Sequence, residues 1–334
     1  MNVLFASLLL AATTLVPIND LGDKEYMWGY YGGLWDVHNT GWTTIPGFHL
    51  AAGLQQAAKI VPRDANGNPD PNGKIGFMAI GYGNTARSFA QFQSMAATDP
   101  RINHNALVLL NAASDGRDAT KWDFPWKPAF GVVNNTLLPA NEVTPQQVQA
   151  IWLQEINDSP TVPLPIQFAD AYLVKATLCD ILREAKRQYP NLAVAYLSSP
   201  EYAGYNTTST KYLSEPFAYE DGIAVRLVLR GQIEYIQNND EIWDPRIGPL
   251  DYNKGDAPWV TWGPYLWANG TTPRSDGLTW QRTDFADDGV TLSPDGAAKS
   301  ARMLLDFVLH EATAAPWFVP GGPVPSRSRA VRPH

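Results

Sequence analysis

Cysteine is all but missing from this sequence. Cys179 is the only one in 334 residues, so no intramolecular disulfide can form and no cysteine-based zinc spacing exists. Its place in a helical pattern predicts a small, buried, apolar side chain. Histidine is scarce as well. His38, His49, His104, His310 and His334 are the full set, and no His-x-x-x-His pair seats a metal. Basic residues number 25 against 33 acidic ones, a formal net charge of −8. With no basic stripe to offset that balance, no nucleic-acid partner is expected. No apolar run reaches the length of a transmembrane helix. No Gly-x-Ser-x-Gly elbow occurs, which removes the usual α/β-hydrolase nucleophile. Internal repeats and low-complexity segments are also missing.

What remains is a globular composition, 45% hydrophobic and 17% charged, in a chain long enough to bury a sizeable core. Val3 to Val16 is an uncharged apolar run. It is too short for a comfortable membrane span and suits the hydrophobic region of a signal peptide. The expected organisation is a leader over 1–18, one domain over 19–318 and a flexible Pro/Gly/Arg tail over 319–334. The leader predicts a secreted or extracellular protein if it is cleaved, and a segment for self-assembly if it is retained. Asn134, Asn206 and Asn269 open Asn-x-Thr sequons, relevant on a eukaryotic secretory route.

The organising stretch is Lys74 to Phe89. Ile75 to Ile80 is a short apolar run of a length that suits a buried parallel strand. Gly81 and Gly83 then allow a sharp reversal. From Thr85, a candidate N-cap, apolar residues fall at helical spacing. Just upstream, Asp64 to Gly73 reads as a polar surface turn. Its Asp-x-Asn-x-Asn opening echoes a calcium loop, but the downstream bidentate glutamate is missing and Pro69 and Pro71 break the pattern. No metal and no cofactor is expected.

Downstream the rhythm continues. Strands are predicted over 106–110, 148–153 and 192–197 and near 259–262. Helices are predicted over 85–97, 166–189, 219–236 and 294–310. Such alternation predicts the α/β class, as a three-layer α/β/α sandwich with a mostly parallel sheet of about five strands.

The same stretch resembles the first block of SGNH/GDSL-type hydrolases, and especially a secreted SGNH-like group. There the strand runs into Gly-x-Ser-Asn, with the serine as nucleophile. Gly81, Tyr82 and Asn84 match, while the serine position is Gly83. The second block resembles Asn111 to Trp122 and the third Ile151 to Asn157. The last resembles Asp284 to Gly296, where Asp288 takes the aspartate position and Thr291 the histidine position.

The resemblance implies a flavodoxin-like SGNH fold and a small ester or carbohydrate ligand. It also implies an oxyanion-type site built from Gly83 N–H, Gly116 N–H and the Asn157 amide. From the residues alone, Gly116 is a glycine in a strand-to-helix turn and Asn157 an Asx-turn residue. Acyl transfer needs a nucleophile and a base. Gly83 has no side chain, and a threonine hydroxyl cannot act as a general base near neutral pH. The expectation is therefore a non-catalytic binding or structural module on a hydrolase-like scaffold. The competing reading is an active serine-type esterase with an unrecognised nucleophile.

Aromatic residues supply a second hint. Trp259, Trp262 and Trp267 follow one another near the last strand. With Tyr31 and Trp35 they are candidates for a sugar-stacking platform. The alternative is that they pack loops onto the sheet.

Overall fold

The computed structural model describes residues 15–208, 213–238 and 244–321. The aromatic N-terminal region forms a small antiparallel hairpin of β1 (Glu25–Met27) and β2 (Tyr30–Tyr31). The five apolar runs that follow form one sheet. They are β3 (Ile75–Gly81), β4 (Leu107–Asn111), β5 (Val148–Gln154), β6 (Val194–Leu197) and β7 (Trp259–Trp262). All pair in parallel, in the order β4-β3-β5-β6-β7.

Strands buried on both faces carry uninterrupted apolar sequence. Phe77, Ala79, Trp152 and Tyr196 project to one side, where α1 (Gly47–Ala57), α2 (Gly83–Ala96) and α5 (Pro294–His310) cover them. Met78, Ile80, Ile151, Leu153 and Leu197 project to the other, under α3 (Asp170–Gln188) and α4 (Phe217–Gln237). Phe77 meets the rings of Phe89 and Phe92 edge-on. Burying each such side chain contributes roughly 1.5–3 kcal/mol. Cys179 belongs to the α3/α4 side, and burial pushes its thiol up to about 12.

This topology fixes where a ligand can bind. After β3 the chain steps outward to β4, then returns to the other side of β3 as β5. Successive connections thus leave the carboxyl ends of β3 and β5 in opposite directions and open a crevice between them.

Several element boundaries differ from the expected ones, two strands among them: Leu107–Asn111 for 106–110 and Val194–Leu197 for 192–197. The second helix starts at Gly83 and Tyr82 is its N-cap, so Thr85 does not cap it. Instead the Thr85 hydroxyl donates to the Gln154 carbonyl at 2.8 Å, tying α2 to β5. The long third helix begins at Asp170, because residues 166–169 form a turn. Most of the apolar leader, residues 1–14, lies outside the described residues, as does the tail from 322. Ile18, counted with the leader, is core: it is buried and its N–H donates to the Tyr265 hydroxyl. Among the described residues, no helix is long and apolar enough to cross a membrane.

Candidate functional site

At the carboxyl ends of β3 and β5 lies a cavity of about 340 Å³. Gly83, Gly116, Asp288 and Thr291 all line it, although they come from three separate parts of the chain. Asn84 holds two of those parts together. Its side chain is buried; Nδ2 donates to the Val290 carbonyl and Oδ1 accepts the Leu292 N–H, each at 2.9 Å. The amide therefore brackets Thr291 and docks the 288–292 loop on the first turn of α2.

Asp288 organises that loop. Oδ1 accepts the N–H groups of Val290 and Thr291, both at 2.9 Å, and Oδ2 accepts the Thr291 hydroxyl at 2.7 Å. Partial burial alone would raise its carboxyl, but these donors hold it below the ordinary value. A carboxylate so satisfied is a weak base, and the threonine hydroxyl bound to it is not activated.

The Gly83 position is the most informative. A Cβ there would stand 2.0 Å from Asp115 Oδ1 and 2.6 Å from Arg87 Nη1. Arg87 grips Asp115 with two parallel bonds, of 2.8 and 3.0 Å. The ion pair thus occupies the space a nucleophilic side chain on residue 83 would fill. Gly116 lies beside it at φ +71°, a left-handed conformation that favours glycine, with open space around it.

Asn157 is placed differently. Its Nδ2 donates to Asp170 Oδ1 at 2.6 Å, and its own oxygen accepts the Ser159 N–H. Asp170 is a buried carboxylate at the start of α3 and also takes the N–H groups of Thr161 and Val162. The Asn157 amide thus serves a buried charge. Its neighbours Ile156 and Asp158 line the cavity in its place.

Tyr82 leads from the cavity into a polar network beneath it. Its hydroxyl donates to Glu201 Oε2 at 3.1 Å. Glu201 Oε1 accepts from Gln154 Nε2 and the Ser300 hydroxyl, at 3.1 and 2.9 Å. Burial raises the Glu201 carboxyl despite these donors. Such a network fixes the floor of the cavity and leaves no free nucleophile in it. Among the described residues, no serine, cysteine or histidine lines the cavity. His49 is a core residue that bonds the Val260 carbonyl, and burial lowers it to about 4.

The proposed aromatic platform is not assembled. Trp259, Trp262 and Trp267 are core residues, each with its indole N–H on an internal acceptor: the His49 carbonyl, the Leu34 carbonyl and Glu215. Tyr31 stacks on His38, and Trp35 packs partly buried against the core. The strand they flank is covered on both faces, so its tryptophans turn inward. Near 64–73, the oxygens of Asp64 accept N–H groups of Asn66 and Asn68, an Asx turn.

Sequence reasoning found the glycines and the 288–291 loop but missed Arg87, Asp115 and Glu201. Arg87 sits one turn into α2, on the same side as Gly83, and that spacing was the available signal. A scan against protein-family models finds no match, and a search of curated proteins finds none.

Proposed function

We propose that this chain is a non-catalytic binding module, built on a scaffold like that of the SGNH hydrolases and taking a small hydroxyl-bearing ligand, of carbohydrate class, in the β3/β5 cleft. One observation carries the reading: the Arg87–Asp115 pair stands where a nucleophile would need its side chain.

The lining argues for the ligand class. Asp115, Asp118, Asp158 and Asp288 line the cleft against one lining cation, Arg87, which pairs with Asp115, while Lys121 lies 3.7 Å from Asp118. Excess negative charge repels carboxylates and phosphates. Carboxylate oxygens are pure acceptors, suited to O–H donors. Gly116 is open on its side-chain face and allows close backbone approach.

The test is saturation-transfer NMR with a panel of neutral and acidic sugars, on the wild-type chain and on Asp115→Ala/Asp158→Ala. Binding of neutral sugars, weakened in the variant, is the expected result. A panel with no binder, or binding indifferent to both substitutions, would sink the reading.

A further inference from the structure

A second cavity, of about 720 Å³, lies between the β1/β2 hairpin and the outer sides of α3 and α4. None of its lining residues is shared with the cleft. Its distinguishing feature is Trp28. Trp28 and Gly29 form the two-residue turn of the hairpin, with φ of +47° and +86°. A turn with both residues left-handed suits the twist of a hairpin, and its first position prefers Asn, Asp or Gly. Tryptophan there strains the backbone. Packing does not offset that strain, because Trp28 is 77% exposed.

The strained turn is held in place. The Gly29 N–H donates to Glu25 Oε1 at 2.6 Å, and Asn39 Nδ2 donates to the Gly29 carbonyl at 3.2 Å. Asn39 Nδ2 also reaches both oxygens of Asp36, at 3.0 and 3.1 Å. Asp36 is itself left-handed, at φ +56°, and its buried carboxylate pairs with Arg230 Nη1 at 3.3 Å. Two of the four left-handed non-glycine residues of the described chain therefore line one cavity. Strain gathered in this way marks a site whose geometry has a use.

We infer that this groove is a second, separate saccharide site, in which Trp28 stacks on a pyranose ring while Asn39 and Arg230 address its hydroxyls, both held in place by the buried Asp36 carboxylate. Tyr30 and Tyr172, whose hydroxyls bond each other, also line the groove. An exposed indole offers an apolar face to ring C–H groups, and planar amide and guanidinium groups match vicinal hydroxyls. An acyl chain fits poorly beside a buried ion pair. A phosphate fits poorly too, because Asp36 and Glu234 already offset the single positive charge of Arg230 and leave none over for an anion. An ammonium ligand is disfavoured because Lys175 and Arg246 already lie within 5.5 and 5.1 Å of the Tyr172 ring. This inference stands apart from the reading of the cleft and survives its failure.

The experiment is titration of the full chain with cellohexaose, xylohexaose and chitohexaose, followed by NMR, with Trp28→Gly and the cleft variant Thr291→Arg beside wild type. Glycine relieves the left-handed strain, so Trp28→Gly folds with unchanged or higher thermal stability. It should nonetheless lose about tenfold in affinity for whichever hexasaccharide binds, the effect of one lost aromatic stack. Thr291→Arg should keep that affinity. The proposal is overturned if none of the three sugars binds, if Trp28→Gly binds as well as wild type, or if Thr291→Arg removes the binding. Preferential binding of dodecyl detergent or tetramethylammonium in the groove overturns it as well.

Discussion

Asp115 Oδ1 lies 2.0 Å from the point where a Cβ on Gly83 would stand. In the folded chain the Arg87–Asp115 ion pair fills the space in front of residue 83. Any residue larger than glycine at 83 must shift the ends of the Asp115 and Arg87 side chains, the first of them largely exposed.

The first prediction follows. Placing serine and histidine where SGNH-type hydrolases carry them, as Gly83→Ser/Thr291→His, should give no aryl-ester turnover above background while the Arg87–Asp115 pair holds the space in front of residue 83. Adding Asp115→Gly removes the obstruction and lets Asp288 orient the new imidazole. Turnover should then appear, but far below that of a working enzyme, since a misplacement of about 1 Å can cost roughly a hundredfold and the Asn157 amide is committed to Asp170. A double variant already as active as the triple would contradict the overlap.

Asn84→Ala tests how the site is held together. It strips partners from the Val290 carbonyl and the Leu292 N–H. Leaving buried polar groups unpaired costs roughly 1–3 kcal/mol each, so a loss of about 3 kcal/mol in urea unfolding is expected. Broadened NMR signals for 288–292, with the sheet unchanged, should accompany it. A loss under about 0.5 kcal/mol would show that the amide does not dock the loop.

Stability should fall as pH rises towards neutrality. Burial pushes Glu215 and Glu220 up to about 7, and it raises Glu201, Glu155 and Asp221 as well. Between the ordinary carboxyl value and about 7, the folded chain holds protons that the unfolded chain has released. The stabilisation is therefore complete below that window and lost as pH passes through 7. His49, lowered to about 4, works in the opposite sense below its ordinary value, but it is one group against several. The thermal midpoint should drop between about pH 5 and pH 8, and Glu215→Gln should flatten the drop. A midpoint that climbs over that range would refute this account of the buried acids.

The strands were legible because each is a short apolar run, buried on both faces in β3, β5, β6 and β7, and the final helix because Ser293, Pro294 and the apolar spacing announce it. The approach of Gly83, Gly116 and Thr291 was legible only through the order of the motif blocks. Four things were not legible. Trp259 and Trp262 read as a platform because sequence shows aromatic content but not which side of β7 is covered. Asn157 read as a cleft donor because nothing local reveals that Asp170 needs a partner. Asp115 over Gly83 depends on where the loop after β4 lands, a tertiary fact with no local signature. The strained turn at Trp28 was hidden for a related reason: left-handed backbone at a tryptophan is set by the hairpin around it.

The most direct measurement is a titration of the wild-type chain with an acetylated xylo-oligosaccharide, followed by NMR so that binding and acetate release are read in one sample. The account predicts saturable shifts at Gly116, Asp288 and Thr291 while every acetyl group stays attached. Release of acetate by the purified chain, abolished by a substitution within the cleft, would contradict it.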